Sequence, residues 1–144
     1  MIKEFVEYWE KNKEKLEEYL RTHKQEEYSE YVDLVKLLFE HVINPEVDGW
    51  RYSKYDTENI LGIDDGDYQG TLVFILHRDT YQPSVSDYVY TSVYYGSCSG
   101  CDTLLGISEY SDELPTEEQI KDYMMLCLHL LQNCVYMTYG ESEE

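Results

Sequence analysis

Two β-type runs separated by a turn constrain this chain most. Residues 71–77 are β-branched and aliphatic, and residues 87–95 alternate Tyr, Val and Thr with a period near two. Between them stands Arg78-Asp79-Thr80-Tyr81-Gln82-Pro83-Ser84-Val85-Ser86, rich in turn formers. The economical reading is an antiparallel hairpin. If its turn centres near Tyr81-Gln82-Pro83, paired residue numbers sum to roughly 165, because register follows from the turn. That register sets Gly70 opposite Tyr95 and Asp67 opposite Cys98.

Helices surround the hairpin in sequence. Ile2, Phe5, Val6, Trp9, Leu16 and Leu20 recur at helical spacing, with Glu and Lys alternating on the other side. A break falls near Thr22-His23. A second stripe, Tyr28, Tyr31, Val32, Val35, Leu38, Phe39 and Val42, predicts another helix, stopped at Asn44-Pro45. Residues 46–69 contain Gly49, Gly62 and Gly66 and read as loop, with one short strand around residues 50–55. Thr116 and Gln119 form a capping box that starts the last helix, expected to run to about Tyr139 before residues 140–144 fray. The expectation is one α+β domain over residues 1–144: a small antiparallel sheet with helices packed on it.

Charge narrows the function. The chain carries a net charge of -19, yet at 42% hydrophobic and 15% aromatic it is too apolar to be disordered. Residues 1–46 hold 12 acids against 7 bases, whereas residues 47–144 hold 18 acids against only Arg51, Lys54, Arg78 and Lys121. Such a surface repels nucleic acid and attracts a basic groove, although acidity also serves simply to keep a protein dissolved. No apolar run approaches the ~20 residues of a membrane span. Met1-Ile2-Lys3-Glu4 opens directly into a charged helical pattern, so the protein is expected to stay in the cytoplasm, where thiols remain reduced.

The sharpest chemical signal is Ser97-Cys98-Ser99-Gly100-Cys101-Asp102. Two cysteines two residues apart form a knuckle whose thiolates can face one ion, and Gly100 permits the tight turn. Plain packing and redox chemistry are the competing readings; the redox reading is disfavoured because the pair follows a hairpin strand rather than starting a helix. Cys127 and Cys134 are expected on one face of the last helix, ~10 Å apart along its axis, too far for one ion with ~2.3 Å zinc–sulfur bonds. They share that face with Ile120, Met124 and Leu131 and read as core. His129 points to nearly the opposite side, beside Asp122, Met125, Asn133 and Tyr136, and is a candidate third ligand. Asp67 is a candidate fourth through the hairpin register, with Asp102 and His77 as rivals and an ordinary turn aspartate as the plain alternative.

Asp67-Tyr68-Gln69-Gly70, the Tyr81-Gln82-Pro83 turn, Tyr95-Gly96-Ser97-Cys98-Ser99-Gly100-Cys101-Asp102 and Leu126-Cys127-Leu128-His129 together resemble a group of small phage and prophage proteins of the Gram-positive world. The resemblance covers about residues 60–135. Some small acidic phage proteins of this look are anti-CRISPR inhibitors of the type II RNA-guided DNA nuclease, and one kind is a zinc protein. The resemblance implies Asp67, Cys98, Cys101 and His129 as the ligands of a structural Zn2+. Cys127 and Cys134 are not part of its pattern.

Three functions compete at this level. The first is an inhibitor that binds a host nuclease through its acidic surface, aided by Tyr88, Tyr90 and Tyr94 on one face of one strand; those tyrosines would otherwise cover the sheet beneath a helix. The second is a zinc hydrolase or deaminase. It is disfavoured because the deaminase signature, a His-Glu-x-x-His helix, a phosphate-binding glycine loop and a nucleophile elbow are all missing from the sequence. The third is a zinc-stabilised phage protein of structural or regulatory role. The expected partner is a protein with a basic surface, with no direct nucleic-acid or membrane binding and no enzymatic activity.

Overall fold

Amphipathic periodicity places the N-terminal helix. Helix α1, Lys3–Thr22, buries Phe5, Trp9, Leu16 and Leu20. Asn12 lies on the same stripe and is buried as well: its amide donates to the Val42 carbonyl at 3.1 Å and to the Glu46 carboxylate at 2.9 Å. Buried amides persist only when hydrogen-bonded, and Asn12 meets that condition by clamping α1 to the turn that ends the second helix. The computed structural model describes residues 1–47, 53–66, 70–96, 103–107 and 113–138.

The second helix differs from the sequence expectation. A 3-10 turn at Gln25–Tyr28 comes first, then α2 at Tyr31–Leu38, a π turn at Phe39–Ile43 and a 3-10 turn at Asn44–Glu46. Glu30 starts α2 through a capping box with Asp33, so Tyr28 belongs to the preceding turn. Pro45 enters at the start of the final 3-10 turn, where its missing N–H costs nothing.

The sheet has four antiparallel strands in the order β1-β2-β3-β4: β1 Leu61–Asp64, β2 Gly70–His77, β3 Tyr88–Tyr95 and β4 Val135–Tyr136. Gly70 pairs with Tyr95 and His77 with Tyr88, the register expected from the turn. The strand expected around residues 50–55 is overturned in its described part, where Tyr55 makes only an isolated bridge to Arg78; residues 50–52 lie outside the described residues. The edge strand is β1 instead. Its four residues are all exposed, so only one side of the strand carries the apolar signal that sequence reading relies on.

A short helix, α3, spans Thr103–Ile107, and α4 spans Glu117–Gln132. The capping box of α4 is as expected: the Gln119 N–H donates to Thr116 Oγ1 at 3.1 Å, and the Thr116 N–H donates to Gln119 Oε1 at 2.9 Å. The expected extension to Tyr139 is overturned, because Asn133 caps the helix and Val135–Tyr136 leaves to pair with β3. β-branched Val135 and aromatic Tyr136 suit the strand better than a helix end. α1, α2 and α4 share one core with the inward face of the sheet, formed by Leu72, Phe74, Leu76, Val89 and Val93. No described helix is long and apolar enough to cross a membrane.

Candidate functional site

The end of the hairpin that leads into residues 97–102 is held tightly. Tyr95, the last residue of β3, donates its hydroxyl to Asp64 Oδ1 at 2.6 Å and to the Gly66 carbonyl at 2.9 Å. Asp64 Oδ1 also accepts from the Gly66 N–H at 2.9 Å, and these two bonds hold its carboxyl below the usual range. Asp65 Oδ1 accepts from the Thr71 N–H at 2.7 Å. A Cβ at Gly70 would stand 2.6 Å from Asp65 Oδ1 and 3.0 Å from the Gly66 backbone, so only glycine fits there. Gly66 and Gly70, which flank residues 67–69 in sequence, therefore both lie beside Tyr95.

After residues 97–102, α3 is fixed by burial and by hydrogen bonds. Leu104 and Ile107 are buried, the Leu104 N–H donates to the Tyr31 hydroxyl at 3.2 Å, and Gln119 Nε2 donates to the Ile107 carbonyl at 2.8 Å. Thr103, Gly106 and Ile107 of α3 and Asp122, Met125, Leu126 and His129 of α4 line a cleft of about 360 Å³. His129 is exposed on that wall, and its ring makes no hydrogen bond or ion pair among the described residues. His129 lies beside Asp122 and Met125 as expected, but Tyr136, expected on the same side, leaves the helix for β4 and packs against the core beside Phe5.

Of the expected zinc ligands, Asp67, Cys98 and Cys101 lie outside the described residues, as does the rival Asp102. His77, the other rival, sits at the opposite end of the hairpin, opposite Tyr88, with its Nδ1 at 2.9 Å from the Arg78 carbonyl. Among the described residues, no group of three or more His, Cys, Asp or Glu side chains could hold a metal. The expected set of two thiolates, one imidazole and one carboxylate would suit a tetrahedral Zn2+ ion.

Cys127 and Cys134 are free, fully buried thiols. Burial pushes each up to about 12, so neither is a ready thiolate at neutral pH. The helical spacing argument for this pair fails, since Cys134 lies beyond the end of α4, but both side chains are core as expected. Cys134 Sγ sits 3.5 Å from the Leu130 carbonyl, which also accepts from Thr91 Oγ1 at 2.6 Å.

Sequence reading missed a buried polar network. The Tyr123 hydroxyl donates to Gln25 Oε1 at 2.8 Å, and the Gln25 N–H donates to the Glu113 carbonyl at 3.0 Å. The Tyr28 hydroxyl donates to the Leu20 carbonyl at 2.9 Å. Gln25 stands in a charged stretch, so nothing in its neighbours marks it as interior. Comparison of the chain with family models, curated proteins and solved structures finds no match.

Proposed function

We propose that this is a non-enzymatic binding protein that uses an acidic exterior to occupy the nucleic-acid groove of a basic protein. The target implied by the resemblance is the type II RNA-guided DNA nuclease, which makes the chain an anti-CRISPR inhibitor. The observation that carries this reading is how the basic residues are used. Lys11 pairs with Glu46, Lys13 with Glu10, Lys36 with Glu58, and Arg21 with Glu17, Glu18 and Glu117. Lys54 donates to the Asn44 carbonyl at 2.8 Å, and Arg78 lies over the Tyr55 ring and donates to the Ser53 carbonyl.

Most positive charge is thus turned toward the protein itself. Glu7, Glu14, Glu26, Glu27, Glu118 and Asp122 stay exposed with no ion pair among the described residues. A net charge of -19 with its cations so engaged projects a negative field, which steers association with a groove evolved for phosphate. In this reading Asp67, Cys98, Cys101 and His129 hold a Zn2+ ion that ties the hairpin end to α4. With four protein ligands the ion supplies folding energy and no open position for catalysis.

The test is direct binding to a purified type II RNA-guided nuclease, with DNA cleavage as a second readout. Binding is expected at low salt, with affinity falling as ionic strength rises and cleavage inhibited in proportion to occupancy. Affinity that is unchanged between low and high salt refutes the electrostatic account, and absence of binding at micromolar protein refutes the target.

A further inference from the structure

The helices all pack on one face of the sheet, and the other face has no layer over it among the described residues. Pairing defines that outer face. Leu61 and Ile63 of β1 stand opposite Ile75 and Val73 of β2, Ile75 stands opposite Tyr90 of β3, and Tyr90 stands opposite Val135 of β4. None of these six belongs to the core or packs against it. Leu61 is 56% exposed, Ile63 47%, Tyr94 55% and Val135 42%. The tyrosines expected either to meet a partner or to lie beneath a helix are therefore beneath no described helix.

The chemistry of this face departs from the rest of the surface. Thr71, His77, Tyr88, Ser92 and Tyr94 complete it, and among the described residues its carboxylates stand at the rim, Asp56 opposite His77 and Asp65 opposite Thr71, in a chain of net charge -19. A basic partner chosen by charge has nothing to read at its centre. A twisted sheet with an apolar centre is best complemented by another like it, stacked about 10 Å away with strands within roughly 30° of alignment. Four half-exposed side chains and their partly exposed neighbours offer on the order of 600 Å² per copy, so a pair would bury about 1,200 Å², the lower end for specific interfaces.

We infer that a second copy of this chain covers the outer face, giving a two-fold dimer of stacked sheets with the helical layers outermost. This contact is distinct from the acidic surface of the proposed function, and salt acts on the two in opposite directions. Two copies of charge -19 repel, so screening favours the dimer while weakening attraction to a basic partner.

The experiment is sedimentation equilibrium of the full chain under reducing conditions, from about 1 to 200 μM, at low and high salt, the range in which an interface this small dissociates. The expected result is a species of twice the 17.1 kDa chain mass whose fraction rises with concentration and with salt. Ile63→Lys and Val135→Lys each place a charge at an exposed position of the face, and each is expected to give a monomer with wild-type circular dichroism. A wild-type chain that stays monomeric throughout overturns the inference, whatever else binds the face. A dimer that both variants retain at full strength overturns it too.

Discussion

Thr91→Val tests how α4 is held to the sheet. The last carbonyls of a helix have no partner within it. In α4 the His129 carbonyl accepts from the Asn133 N–H at 3.0 Å and the Leu131 carbonyl from the Cys134 N–H at 3.1 Å. The Leu130 carbonyl between them accepts from Thr91 Oγ1 at 2.6 Å, across 39 residues of chain, and Thr91 is fully buried. Valine keeps the shape and removes the donor, leaving a buried acceptor to the weak Cys134 thiol, a loss of about 1–3 kcal/mol. The added methyl returns about 0.8 kcal/mol of apolar burial. The net expectation is a destabilisation of about 0.2–2 kcal/mol. With a urea m-value of ~2 kcal/mol/M, the unfolding midpoint falls by about 0.1–1 M while the slope stays unchanged. A midpoint at or above that of the wild type would show that this bond does not fasten the helix, and the reasoning would be wrong.

Other outcomes follow from the same structure. Metal analysis of purified protein should find one zinc per chain, lost in Cys98→Ser and in His129→Ala but kept in Cys127→Ala; retention in Cys98→Ser would remove the knuckle from the site. Tyr55 buries its hydroxyl without a partner among the described residues, so Tyr55→Phe should leave stability unchanged or raise it by up to about 1 kcal/mol, and a clear loss in urea unfolding would contradict this. Asn12, then Lys11, holds the Glu46 carboxyl below the usual range. A lowered carboxyl contributes stability above its unfolded pKa and loses it as pH falls through the folded one. Asn12→Ala should therefore shrink the stability difference between neutral pH and about pH 3.5, and an undiminished difference would show that Glu46 does not contribute.

The fold class and the hairpin register were legible because both rest on local pattern. The strand runs and the turn formers at 78–86 set which residues pair, and a one-residue slip would have inverted every side chain of β2. The stripe of Phe5, Trp9, Leu16 and Leu20 and the Thr116–Gln119 box likewise needed nothing beyond neighbours. His129 was placed on its side of α4 by helical phase alone.

What sequence could not decide depended on contacts between distant segments. β1 is too short and too exposed to be seen until β2 offers it hydrogen bonds, and α4 ends at Gln132 because β3 accepts Val135 and Tyr136 as a fourth strand. Gln25, Asn12 and Thr91 are polar residues that no apolar pattern marks as core, and each is interior because a carbonyl or carboxylate from another element meets it. Whether Tyr90 lay under a helix or in the open was set only when every described helix packed on the opposite face. A sequence carries the preferences of each segment for water or burial; which segment satisfies the polar groups of another is fixed only when the chain closes on itself.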